Sequence, residues 1–251
     1  METVLSNVGN AAFNDPFYGW IDNEQIYFAD RNTGIRRIGV NERNLALSTS
    51  DAKYDYFVQN NRLEYYGNPW QYGAMNACFA KADGLWYWGK TYGGGGIFRF
   101  AESDISPVDI SRGTNPPYAT IFPDEFVKSF VIDATNQILY AVIRDKGLYA
   151  VPLTDITAND ATKTNTKAES KYLVASFKSD SEGSVGEYVD VCQMVLDNSD
   201  GSVYFGLRAE EGSSETSGVK RWNPTTKKLE TIVSGVNVYG IALNNELSNL
   251  F

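Results

Sequence analysis

The sequence predicts an all-β fold, a β-propeller of six blades in preference to five, with residues 1–251 forming one domain. Three observations predict it. First, one hairpin phrase is written four times: a turn pair, a short apolar and aromatic strand, a polar loop, then a glycine launching a second strand. The copies are Asp22-Asn23 with Ile26-Tyr27-Phe28 and 34–38, Asp83-Gly84 with Leu85-Trp86-Tyr87-Trp88 and 96–100, Asn136 with Leu139-Tyr140-Ala141 and 147–151, and Asp200-Gly201 with Val203-Tyr204-Phe205 and 218–222. Second, turn pairs near residues 22, 60, 83, 135, 200 and 244 recur on average about every 44 residues, close to a blade period. Third, aromatic residues make up 14% of the chain, with 16 Tyr and 13 Phe, types that favour pleated, half-buried surfaces. No long segment of 3.6-residue period competes with this reading.

Taken in order, Glu2-Thr3-Val4-Leu5-Ser6 reads like Leu229-Glu230-Thr231-Ile232-Val233-Ser234, an outermost strand of the last copy. The N-terminal segment is therefore expected to complete the closing blade and cover edges that would otherwise be open. After the break at Asp15-Pro16, residues 17–22, 25–30, 34–40 and 45–50 read as four strands of one blade, with Asn and Asp suited to the positive φ of tight hairpins. Residues 54–67 resemble another hairpin turning at Asn60-Asn61. However, Asp83-Gly84 follows after only 23 residues, too few for four strands and their turns. Six blades follow if this hairpin counts, and five if it is an insertion.

Residues 75–110 hold the next copy, with Gly93-Gly94-Gly95-Gly96 between its strands. A phosphate-cradling loop runs from a strand into a helix, whereas this one runs into the strand 97–100, so it reads as a flexible hairpin loop. Residues 112–123, with Pro116, Pro117 and Pro123, read as an inter-blade connection. Strands follow at 126–133, 138–143 and 147–151, then a polar loop over 154–170 and an outer strand at 172–177. After a polar connection at 179–186, strands are expected at 188–196, 228–234 and 238–244 around the last copy of the phrase. Leu250-Phe251 aligns with Leu139-Tyr140 and Val203-Tyr204, so the sequence reads as ending inside a strand, either trimmed there or with a closing blade of fewer strands.

Composition narrows function by exclusion. A hydrophobic content of 43% supports a sizeable core. The net charge of −9 without a basic cluster argues against nucleic acid and anionic membranes as partners, and suits solubility or cationic ligands. No apolar run approaches the roughly 20 residues that cross a bilayer, and the N-terminus lacks the basic and apolar regions of a signal peptide. Histidine is absent, which removes Ser-His-Asp and Cys-His catalysis and imidazole metal sites. Cys78 and Cys192 lie 114 residues apart without metal-type spacing, leaving buried thiols or one disulfide. No Asn-x-Ser/Thr acceptor occurs, since Asn223-Pro224-Thr225 is blocked by its proline, which favours a bacterial secreted or periplasmic protein of the cell envelope.

Residues 22–38, with Ala29-Asp30 and Arg37-Ile38, resemble the NHL-type repeat, and Tyr239-Gly240-Ile241-Ala242-Leu243 resembles an inner strand of NHL and gluconolactonase-like (TolB-type) propellers. Tyr149-Ala150-Val151-Pro152 and Val203-Tyr204-Phe205-Gly206-Leu207 are similar to segments of the Yellow/royal-jelly propellers. The resemblance implies a six-bladed ring with ligands at the mouth of a central channel. It departs at Tyr239, where gluconolactonase-like enzymes commonly carry a metal-binding asparagine.

Two groups of candidate site residues emerge. Asp22, Asp83, Asp133 and Asp197, with Asp190 and Asn244, fall at or near recurring turn positions, and a ring of oxygen ligands suits Ca2+ or another divalent ion. The same residues are also good turn formers. Trp70, Trp86, Trp88 and Tyr92 concentrate near the glycine loop, and with Tyr239 could stack on a sugar or a cation. Strand alternation puts Trp86 and Trp88 on one face and Tyr87 on the other, and inter-blade packing is the competing role. No catalytic residue is singled out: glycoside hydrolysis needs two acids about 5–10 Å apart, and the sequence pairs none. The expected function is a non-catalytic binding or scaffolding propeller taking a glycan, small molecule or protein, with no nucleic-acid partner and no membrane insertion. The alternatives are a metal-dependent hydrolase or lactonase of the gluconolactonase type and a small-amine binding protein.

Overall fold

The computed structural model describes residues 5–7, 16–30, 34–41, 45–47, 55–59, 79–90, 96–101, 119–123, 125–143, 146–156, 165–176, 189–209 and 217–244. Among these residues there is no α-helix; the structure is β-strands with two single 3-10 turns, Leu153–Asp155 and Ser170–Tyr172.

Four antiparallel sheets succeed one another along the chain, each with its strands side by side in chain order. The first holds β2 (Pro16–Asp22), β3 (Gln25–Asp30), β4 (Gly34–Gly39) and β6 (Asp55–Gln59). The second holds β7 (Phe79–Ala82), β8 (Leu85–Lys90), β9 (Gly96–Ala101) and β10 (Ala119–Ile121), with β14 (Asn165–Thr166) added in parallel at its edge. The third is β11 (Val127–Asp133), β12 (Ile138–Ile143), β13 (Gly147–Pro152) and β15 (Leu173–Ser176). The fourth is β16 (Val189–Leu196), β17 (Val203–Ala209), β18 (Gly218–Asn223) and β19 (Lys228–Ser234).

The first two hairpins turn as Asx-rich sequences should. Asn23 (φ 46) and Glu24 (φ 60) sit in the left-handed region, as do Asp83 (φ 53) and Gly84 (φ 74), which is the two-residue geometry that matches strand twist. The glycine that opens each third strand has a steric reason. A Cβ on Gly147 (φ +144) would stand 2.0 Å from the Ala175 carbonyl oxygen, and one on Gly218 (φ +142) 2.0 Å from that of Val233. Both contacts fall where the outer strand shifts register, so the same close approach is built twice.

The sheets pack face to face in chain order. The rings of Tyr27 and Trp86 meet at 4.8 Å between the first and second sheets. One apolar cluster, including Tyr87, Ile97, Phe122, Phe130, Leu139 and Tyr149, fills the seam between the second and third. Another, including Tyr140, Leu148, Val191, Val203, Phe205 and Trp222, fills the seam between the third and fourth. The first strand of each sheet meets its neighbour: Lys81 of β7 bonds Asp22 of β2, β11 lies against β7, and β16 lies against β11. The result is a propeller-like all-β fold. Tyr27, Tyr87 and Tyr140 occupy one repeat position, on the second strand and facing the following sheet, and are 3%, 1% and 1% exposed. Tyr204 is their counterpart in the fourth sheet; it is half-buried, with the Arg221 guanidinium 5.7 Å from its ring.

Several expectations are corrected. The N-terminal strand β1 (Leu5–Asn7) does not pair with the fourth sheet; it pairs in parallel with β5 (Leu45–Leu47). Residues 45–50 therefore do not supply the fourth strand of the first sheet. That strand is β6, which binds β4 in register Gly34↔Gln59 to Arg37↔Asp55. The first arm of the supposed Asn60 hairpin thus belongs to the first sheet, which explains the short interval before Asp83; Asn60 and Asn61 themselves lie outside the described residues. The connection 112–123 contains a strand, β10, and the polar stretch 154–170 contains β14, which pairs outside β10, and the buried side chains of Ile156 and Thr166. Residues 238–244 form no strand: Val238 N donates to Leu207 O at 3.2 Å, and Val238 lies over Gly206.

Candidate functional site

The β11–β12, β16–β17 and β18–β19 turns share one end of the sheets. Gly201 sits beside the Asp133 and Asn136 side chains and beside Pro224, and Lys81 reaches Asp22 next to the first two hairpin turns. Four of the aspartates singled out from sequence are described on this rim, and each is engaged locally or at a turn. Asp22 Oδ2 accepts from Lys81 Nζ at 2.7 Å. Asp83 is exposed at its hairpin turn. Asp133 is buried, and its carboxylate accepts from Asn136 N at 2.8 Å and Asn136 Nδ2 at 2.7 Å, closing the β11–β12 turn. Asp197 Oδ1 accepts from Ser199 N at 2.9 Å and Ser199 Oγ at 2.6 Å. Among the described residues no three carboxylates or thiols gather as a ligand set, so the rim is a series of separate Asx turns. Asp190 lies within β16, and Asn244 is exposed at the end of the described chain.

The aromatic candidates part company. Trp86 and Trp88 are 0% and 1% exposed, on the face of β8 turned toward the first sheet, with Tyr87 on the other face as alternation requires. Burial raises the Tyr87 phenol pKa, partly opposed by the neighbouring Arg99 guanidinium. Arg99 is itself buried and donates through Nη1 to Ile156 O at 3.4 Å. Tyr239 is 71% exposed, with the Arg208 guanidinium 5.5 Å from its ring. Trp70 and Tyr92 lie outside the described residues, as does Cys78.

A cavity that the sequence did not single out opens on the same end, at the seam between the third and fourth sheets. It encloses ≈ 490 Å³ and is lined by Val174 and Ala175 of β15 and by Trp222, Lys227, Lys228, Leu229 and Glu230 around the β18–β19 turn. Trp222 and Leu229 belong to the inter-sheet core and form its apolar base. Asn223 shapes the turn, its Oδ1 accepting from Thr225 N at 3.0 Å and Thr226 N at 3.1 Å, while Lys227 holds a left-handed conformation (φ 55). Both lysines are exposed, and neither side chain makes an ion pair or hydrogen bond among the described residues; Lys228 and Glu230 alternate with Leu229 and so belong to the face of β19 turned away from the third sheet. Glu230 is held by Arg221 through a contact of 3.5 Å, while Arg221 makes its shorter bond, 2.6 Å, to Asp200. The sequence signal was present: Lys227-Lys228 is an adjacent basic pair in a turn of a chain of net charge −9.

No family model and no curated protein matches the sequence. Among solved structures, the chain is similar to the extracellular domain of a candidate one-component system from B. thetaiotaomicron, at 12% identity and TM-score 0.51, over 89% of this chain and 26% of that one. It is also similar to a candidate 6-phosphogluconolactonase from Bacteroides uniformis, at 11% identity and TM-score 0.50, over 93% of this chain and 61% of that one. The likeness is one of fold. This chain spans about a quarter of the first protein and less than two thirds of the second.

Proposed function

We propose that this protein is a non-catalytic binding or scaffolding module of a bacterial cell envelope or extracellular space, taking a glycan, small molecule or protein at the turn end of its sheets. The observation that carries the reading is the ≈ 490 Å³ groove between the third and fourth sheets, within the size range of small-ligand sites and bordered by charged groups above an apolar base. Asp22, Asp133 and Asp197 are occupied in an ion pair and in turns, which favours binding over a carboxylate-and-metal lactonase. The likeness to an extracellular domain supports the compartment. Because β6 belongs to the first sheet, the turn pair at 60 need not head a blade of its own, which favours five positions over six.

The test is a thermal-shift and calorimetric screen against neutral and acidic oligosaccharides, run beside a turnover assay on sugar lactones with and without Ca2+. Saturable binding without turnover supports the reading. Lactone consumption that depends on added metal overturns it in favour of the hydrolase.

A further inference from the structure

We infer that the open edge of β19 takes an extended segment of a partner protein as an added strand, with one apolar side chain of that segment seated in the groove between the third and fourth sheets; this rests on the binding reading above and names its ligand as protein. Three observations carry it. The first is the edge. Among the described residues β19 ends the fourth sheet, and no strand pairs with its outer side. It is 7 residues long, where its counterparts β6, β10 and β15 have 5, 3 and 4. Ile232 and Val233 are 50% and 42% exposed, and no charge from Thr231 to Val236 discourages pairing. The second is the position of the groove. Leu229 and Trp222 face the third sheet and Lys228 and Glu230 face away, yet all four line it, so the groove follows the edge of β19 and is not confined to one face. A strand laid along that edge sends alternate side chains to the two faces. The one level with Leu229 enters the hollow formed with Val174, Ala175 and Trp222, and its two neighbours come level with Lys228 and Glu230. The segment that fits therefore carries an apolar residue between an acid and a base. The third is a precedent inside the chain. In the second sheet β14 lies in parallel outside β10, Phe122 N donates to Thr166 O at 2.6 Å, and Thr166 is buried. The chain covers that outer edge itself, whereas the edge of the fourth sheet is open among the described residues, and its main-chain donors and acceptors suit the same kind of occupant.

The test is fluorescence anisotropy on the whole chain with a labelled peptide blocked at both ends, Ser-Asp-Leu-Lys-Thr-Val-Thr, made also in reversed order because an edge accepts a strand in either sense. Two further versions carry N-methyl groups on one or the other set of alternate amides, so that one of them removes the donors turned toward β19. Lys228→Glu is the protein variant; the side chain is exposed, so it should keep the wild-type Tm. The expected result is saturable binding in at least one chain sense, weakened about tenfold or more by one set of N-methyl groups and little by the other, as a main-chain ladder requires. Lys228→Glu should weaken the parent peptide about threefold and bind better a peptide with lysine in place of its aspartate. Equal affinity of the parent and both N-methylated versions would mean that no ladder forms and would overturn the inference, as would binding untouched by Lys228→Glu. Failure of both chain senses to bind also overturns it; the binding reading then stands if the oligosaccharide screen gives saturable binding, and falls with it if no ligand binds.

Discussion

Lys81 Nζ donates a 2.7 Å hydrogen bond to Asp22 Oδ2 across the seam between the first and second sheets, and the same ammonium lies 4.8 Å from the Trp86 ring. Trp86 in turn packs on Tyr27 of the first sheet, so one lysine joins the polar rim of this seam to its aromatic interior. The two side chains are 28% and 31% exposed, which places the pair between a surface bridge and a buried one. A double-mutant cycle with Asp22→Ala and Lys81→Ala should give a coupling of about 0.5–1 kcal/mol in urea unfolding, shrinking as salt is raised. A coupling of zero at low salt would mean that the seam is held by its aromatic contacts alone.

Gly218 and Gly147 should tolerate no side chain. Ala at either position meets a carbonyl oxygen at 2.0 Å as well as an unfavourable φ, and should cost about 2–4 kcal/mol. Gly84 provides the contrast: it too has positive φ, but an added Cβ finds nothing within 4 Å, so Gly84→Ala should cost about 1 kcal/mol. Equal losses at the three sites in denaturant titrations would contradict the close approach of third and outer strands.

Asp133 should matter as a turn clasp. Asp133→Ala strands the Asn136 donors beside a buried site and should lower stability by about 1–3 kcal/mol. Calcium should leave the wild-type Tm unchanged, because the carboxylate is already occupied by its own turn. A calcium-dependent rise in Tm that Asp133→Ala abolishes would restore the metal reading.

Asp200 gives the fold a small acid dependence. Partial burial pushes its pKa up, but hydrogen bonds from Ser202 N (2.8 Å), Ser202 Oγ (2.9 Å) and Arg221 Nη2 (2.6 Å) outweigh that and leave it lowered. A carboxylate lowered in the folded state adds stability above its unfolded pKa and loses it as pH falls through the folded value. The side chain is 42% exposed, so screening keeps the effect small. Urea midpoints for wild type and Asp200→Asn should differ near pH 6 and converge as pH falls below about 4, the ordinary Asp range. A gap that persists unchanged in acid would assign the difference to shape and not to charge.

Much of the sheet plan was legible because each hairpin carries its own local chemistry. The strands 25–30, 138–143 and 228–234 were bounded correctly by Asx and glycine turns and by alternation. Long-range pairing was not legible. The similarity of residues 2–6 to 229–234 reflects a shared strand composition, but a strand's partner is set by which edge lies open nearby, and that edge was β5. Strand β6 was hidden by the attractive Asn60-Asn61 turn, since a turn signal does not say which sheet its arms join. The groove escaped notice for a similar reason: Val174 and Lys227 are distant in sequence, and only the packing of the third sheet on the fourth brings them together.

The central claim, that ligand is held at the seam between the third and fourth sheets, is tested most directly by hydrogen–deuterium exchange with and without a saturating oligosaccharide taken from the binding screen. The account predicts slowed exchange confined to peptides covering 173–176 and 222–230. Slowed exchange at the turns around 22 and 83, or in the segment 236–244, with none at 222–230, would contradict it.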